Sequence, residues 1–207
     1  MIVILIVQLQ VSYNLTFKSG ENIFGPLIDS ISLFFIAIRI AALALVIAMW
    51  ILDRKGSLFK WIMIATGLFT LGLLMNIINL CFQVIATFED NTPQILFSDV
   101  LALMVTNVLI FSIWYWIIDP PGITEKEGEN ESFDFLFPQR ASDSPQFASW
   151  RPSYIDYLFM AFTTSVAFSP TDTSPLTVRA KLLLMLQASI SLIIIVIILG
   201  NTINTLN

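Results

Sequence analysis

Apolar positions run almost unbroken through residues 27–52, 58–88 and 95–118, interrupted by Asp53-Arg54-Lys55-Gly56 and by Glu89-Asp90-Asn91-Thr92-Pro93. A bilayer core needs about 20 apolar residues per helix, so each stretch predicts one spanning helix. A fourth opens at Ser174-Pro175, which reads as an N-cap followed by proline at the first helical position, and it continues to 206. At 1.5 Å per residue this last helix is roughly 48 Å long, longer than the hydrocarbon core, which places Thr177, Arg179 and Lys181 in the interface. Residues 1–12 are apolar but too short to span, and they lack the basic flank and cleavage site of a signal peptide. They predict an interfacial or edge segment.

Residues 154–164 are apolar for only half a bilayer, roughly 17 Å as helix, and Ser153 with Asp156 forms a capping-box start. The following segment, Ser165 to Pro175, is too polar and too rich in proline for helix. A short descending helix, an extended return and a long helix are the parts of a re-entrant pore loop, because irregular backbone at membrane depth survives only against protein or water. The predicted fold is an all-α integral membrane protein with four transmembrane helices and a re-entrant pore helix and loop before the last span. Residues 1–118 form a peripheral three-helix part, 119–153 an acidic extramembrane loop, and 154–207 the re-entrant segment with the last helix.

Composition agrees with a bilayer location: 57% of residues are apolar and 12% charged, too little charge to coat a water-soluble domain. A net charge of −5 without a basic stripe argues against nucleic acid. Histidine is absent and Cys81 is alone, so disulfides, Cys/His zinc sites and Ser-His or Cys-His pairs are excluded. No enzyme activity, cofactor or metal is expected. The alternating Glu125, Glu127, Glu129 and Glu131 offer paired carboxylates for acid-base chemistry or calcium, but such a run in a segment rich in Gly, Pro and Ser predicts a solvated, partly disordered loop. Trp50, Trp61, Trp114, Trp116 and Trp150 gather at the face that carries the 53–57 and 119–153 loops, side A, as an interfacial belt. Most basic residues lie there too, whereas Lys18 lies on side B and Arg39 within the first span. The positive-inside rule makes side A cytoplasmic.

Counting from helix ends puts Arg39, Asn76, Asn107 and Gln187 near mid-depth, with Asn79 along the face of Asn76 and with Asp99 nearer side B. An unpaired charge at the bilayer centre costs about 3 kcal/mol on insertion scales, so Arg39 predicts polar neighbours, with Asn76, Asn79, Asn107 and Asp99 as candidates. The amides predict interhelical hydrogen bonds. The arginine is open between such a role and an anion, headgroup or water site. Gly67 and Gly72 allow close helix contact without making a GxxxG motif.

Thr163, Thr164, Ser165, Val166, Ala167, Phe168 and Ser169, followed by Asp172 and Pro175, resemble the pore helix, filter and following Asp and Pro of potassium-channel pore domains. The filter sequence T-V-G-Y-G-D aligns with Ser165, Val166, Ala167, Phe168, Ser169 and, after a two-residue insertion, Asp172. Ala167 and Ser169 replace glycines that reach left-handed backbone angles freely, so the resemblance implies a degenerate filter with weak selectivity. Residues 154–206 are also similar to the C-terminal part of an uncharacterised prokaryotic multi-span membrane family, through Tyr154-Ile155-Asp156-Tyr157, Phe168, Thr171-Asp172, Arg179, Lys181 and Asn204. The resemblance implies an ion-channel-like, multi-pass cell-membrane protein that conducts monovalent cations as a homo-oligomer, a tetramer by analogy, with the lipid bilayer as its other partner. The competing expectation is a non-conducting scaffold or regulatory subunit of a larger complex.

With side A cytoplasmic, a Ser142→Cys variant resists a membrane-impermeant thiol reagent in intact cells and reacts after permeabilisation. Labelling in intact cells reverses the orientation.

Overall fold

The computed structural model describes residues 1–19, 25–52, 55–86, 93–119, 133–170 and 172–205. Six helices account for most of them: α1 (Ile2–Ser19), α2 (Gly25–Ile51), α3 (Lys55–Ala86), α4 (Pro93–Ile118), α5 (Tyr154–Ala167) and α6 (Val178–Thr205), with short strands β1 (Phe135–Leu136) and β2 (Ser174–Pro175). Four helices are long and apolar enough to cross a membrane, through Phe34–Ile51, Leu58–Cys81, Phe97–Ile118 and Val178–Ile197. These are the properties of a membrane protein. The acidic run Glu125 to Glu131, Thr171 and the side chains of Lys18, Asp29, Gln83 and Asn204 lie outside the described residues.

The chain divides into two compact units, one of residues 1–106 and 193–207, the other of residues 107–192. In the first, α1, α2 and α3 pack on one another. Their buried positions follow helical periodicity: Ile4, Gln8 and Val11 on α1, Arg39, Ala42, Leu43 and Val46 on α2, and Ala65, Phe69, Leu73, Ile77 and Leu80 on α3. Residues 1–12 are therefore no edge segment. They begin an 18-residue helix that runs to Ser19, held by the buried stripe and by the Gln8 amide, which donates to the Phe69 carbonyl at 2.9 Å.

In the second unit, Tyr157, Met160, Ala161, Thr164 and Ser165 make one buried face of α5, while Ile155, Phe159, Phe162 and Val166 are exposed on the other. The helix starts where the capping box predicts, with the Ser153 backbone N–H and hydroxyl both donating to Asp156 Oδ2 at 2.7 and 2.8 Å. It ends later than predicted. Ser165, Val166 and Ala167 are helical, because Ser165 continues the buried stripe, and the chain leaves the helix at Phe168 in a left-handed conformation, φ 55° and ψ 23°.

Two contacts fix the direction of α6 against α5. The Gln187 amide donates to the Ala161 carbonyl at 2.8 Å, and the Ser165 and Ser191 hydroxyls meet at 3.0 Å, both pairs 26 residues apart in sequence. An equal offset at two levels means that the helices run parallel. The chain must then travel back along α5 before α6 begins, and its arrival is marked by β2 pairing antiparallel with β1, Phe135 opposite Pro175 and Leu136 opposite Ser174. Ser174-Pro175 is thus strand and no helix start. Thr177 caps α6 instead, its hydroxyl accepting from the Ala180 N–H at 3.3 Å. The segment before α5 is also more ordered than a solvated loop: Phe135 and Phe137 are buried and meet Tyr115 and Tyr157 edge to face, at 5.3 and 5.5 Å between ring centroids.

Phe168 is the one non-glycine residue with positive φ among those described, in a position that helices usually give to glycine. It is 45% exposed, so little packing is at stake. Phe168→Gly should stabilise the protein by about 1 kcal/mol, read as a higher unfolding temperature in detergent. Phe168→Val should lower it.

Candidate functional site

The second unit contains a buried polar line made of two hydrogen-bonded levels. Near the end of α4, the Tyr115 hydroxyl donates to Gln187 Oε1, and the Gln187 amide continues to the Ala161 carbonyl. Deeper by two turns along α4 and by one along α5 and α6, Asn107 Nδ2 donates to Ser191 Oγ at 2.9 Å, and Ser191 meets Ser165. Thr164 lies between these levels on α5 and donates to the Met160 carbonyl at 2.8 Å. Asn107, Ser165 and Gln187 are 0% exposed, Thr164 and Ser191 1%. Every member is a neutral hydroxyl, amide or carbonyl, so the line hydrogen-bonds without separating charge. One acceptor is left over: Asn107 Oδ1 is buried with no hydrogen-bond partner.

Above this line, at the end of α4 and the starts of β1 and α6, two buried carboxylates organise a charged clasp. Asp119 Oδ1 accepts the backbone N–H groups of Asp134 and Phe135 at 2.8 and 3.1 Å. Its Oδ2 accepts Arg140 Nη1 at 2.9 Å and the Tyr157 hydroxyl at 2.6 Å. Arg140 also bonds the Phe135 carbonyl and lies over the Phe133 ring, 4.0 Å from its centroid. Asp134 accepts Arg179 Nε at 2.6 Å, Arg179 Nη2 and the Thr177 hydroxyl, and its carbonyl accepts Leu176 N–H at 2.8 Å. Arg179 reaches on to the Ile118 carbonyl at 3.2 Å. Burial, with the Asp119 charge beside it, pushes the Tyr157 phenol well above its ordinary range, so it stays a proton donor to Asp119.

Of the filter-like residues, Thr164 and Ser165 face this interior, and Ser165 is joined through Ser191 to Asn107. Thr163 donates to the Phe159 and Met160 carbonyls of its own helix. Val166, Ala167, Phe168, Ser169 and Asp172 are exposed. Left-handed backbone falls on Phe168, aligned with the filter tyrosine, and on neither Ala167 nor Ser169.

Arg39, Asn76, Asn79 and Asp99 belong to the first unit. Arg39 is 3% exposed, but its partners are not the amides or the carboxylate offered by the sequence. Nε donates to the Phe35 carbonyl at 3.1 Å and Nη1 to Gln8 Oε1 at 2.7 Å. The misassignment follows from treating 1–12 as an edge, which removed Gln8 from the candidates. Asn79 is half-buried and Asn76 and Asp99 are buried.

Sequence reasoning also missed Tyr115, Asp119, Asp134, Arg140 and Tyr157. The available signal was Phe133-Asp134-Phe135-Leu136-Phe137, whose alternating phenylalanines have the period of a half-buried strand. No protein-family model, curated protein or solved structure matches the chain.

Removing one partner of a buried ion pair leaves an uncompensated charge, at a cost of about 3–5 kcal/mol. Asp119→Ala strands Arg140, the Tyr157 hydroxyl and two backbone donors, so it should abolish folding or lower the unfolding temperature more than Tyr157→Phe, which removes one hydrogen bond worth about 1 to 3 kcal/mol. Thermal unfolding of both variants in detergent measures the difference.

Proposed function

We propose that the chain is a pore-loop membrane protein, in which α5 enters the bilayer part-way, the segment before α6 returns to the same side, and symmetric copies surround a weakly selective path for monovalent cations. The observation that carries this reading is the parallel run of α5 and α6. At about 21 Å, α5 is shorter than a bilayer core, and a parallel successor requires a return within the height of the short helix. The return contains exposed Ser169 and Asp172, and polar backbone at that depth requires protein or water as its neighbour. A ring of copies supplies both, with the apolar stripe Ile155, Phe159, Phe162 and Val166 available for contact with a neighbouring copy. Asp172 adds negative charge where a cation would enter or leave.

One observation favours the second reading, a non-conducting scaffold subunit. Ser165, Val166 and Ala167 are helical, so their carbonyls all point along the helix axis and do not line a path as successive rings, as filter carbonyls do.

Purified protein in liposomes separates the two. The pore reading expects an oligomer in detergent and potassium and sodium flux above that of empty vesicles. Replacing both Ala167 and Ser169 by Gly should raise the potassium-to-sodium ratio by restoring left-handed freedom at both positions. A monomer without flux overturns the pore, and a conducting double variant with an unchanged ratio overturns the alignment to the filter.

A further inference from the structure

Arg39 poses a problem that its hydrogen-bond partners do not solve. It stands at the middle of α2, 97% removed from solvent by its neighbours, and both acceptors that it meets, Gln8 Oε1 and the Phe35 carbonyl, are neutral. Among the described residues, no carboxylate lies within ion-pair distance of it. Asp119 and Asp134 show how this chain treats other buried charges, with an arginine on each.

The guanidinium is nevertheless fixed with care. Gln8 accepts from Nη1 while its own amide is anchored on the Phe69 carbonyl, so α1 and α3 together set the orientation of a side chain from α2. Gly72 completes the cradle. A Cβ there would stand 2.9 Å from Arg39 Cζ and 3.1 Å from Gln8 Oε1, and closer still to Nη1, so the guanidinium occupies the space that any other residue at 72 would fill. Guanidinium carries five N–H donors. Two are used, which leaves one on Nη1 and both on Nη2, the edge that suits an anion.

We propose that this edge of Arg39 binds a small inorganic monovalent anion of the halide class, which supplies the negative charge that none of the described carboxylates provides. Gln8 Oε1, the Phe35 carbonyl and Gly72 hold the guanidinium from three packed helices, a crowded setting that favours the smallest anions. A lipid phosphate belongs to the interface and not to the middle of α2. The anion is a structural partner of the three-helix unit, and the inference stands whether or not the protein conducts.

The test uses the full-length protein in detergent at constant ionic strength, with chloride exchanged for gluconate, which is too bulky for the cradle. For wild type, chloride should raise the unfolding temperature saturably, by about 3 °C or more, with bromide substituting for chloride. Arg39→Gln, which removes the charge and retains an amide, should show no chloride response and should be more stable than wild type in gluconate. Gly72→Ala, which displaces the guanidinium while leaving its charge, should also lose the response. A wild-type unfolding temperature that is the same in chloride and gluconate overturns the proposal, even if neither variant folds. An equal chloride response in wild type and Arg39→Gln overturns it as well, by assigning the effect to an adventitious ion elsewhere.

Discussion

The carboxylate of Asp134 is fully buried, and the start of α6 closes over it: Arg179 donates through Nε and Nη2, Thr177 through its hydroxyl, and Leu176 N–H reaches the carbonyl of the same residue. Burying a carboxylate costs several kcal/mol unless its lone pairs are filled, and here the filling groups come from the first residues after the return. The ion pair thus places the start of α6 beside the end of α4, where Arg179 also finds the Ile118 carbonyl. Asp119 does the same for α5 through the Tyr157 hydroxyl. With both helices starting from one end of α4, they have to run parallel, and the polar line along Tyr115, Gln187, Ser191 and Ser165 comes into register. The neutral network inside the unit depends on the charged clasp at its end.

The two units treat buried polarity differently. In the second, each buried carboxylate meets an arginine and backbone donors, and the amides and hydroxyls deeper in form bonds between helices of the kind worth about 0.6 kcal/mol each. Such bonds are individually weak. Their value lies in register, since Asn107, Ser165 and Ser191 meet at only one axial setting of the three helices. In the first unit a guanidinium is held by neutral acceptors alone, and the helices approach closely at Gly72 because that residue has no side chain.

The spans, the capped start of α5 and the buried positions of the amides were legible in the sequence because each rests on local or one-dimensional information. Apolar length decides whether a helix can cross a bilayer. Ser153 and Asp156 interact across one turn. Asn107 and Gln187, deep within apolar runs, need partners wherever they point.

The rest was set by groups far apart in the chain. Ser174-Pro175 has the local signature of a helix start, yet it pairs with Phe135-Leu136 almost 40 residues earlier, and the competing helix turn loses to a strand whose neighbours are anchored on Asp134. Ser165 to Ala167 looked too polar for helix, but Ser165 points into the unit and satisfies its hydroxyl on Ser191. The partner of Arg39 came from α1, across 31 residues, and no periodicity in α2 could have named it. Residue order alone decides which segments prefer lipid and which polar atoms require a partner. Which partner each obtains is a matter of packing, because hydrogen bonds and ion pairs form within about 3 Å and depend on how the helices are oriented around one another.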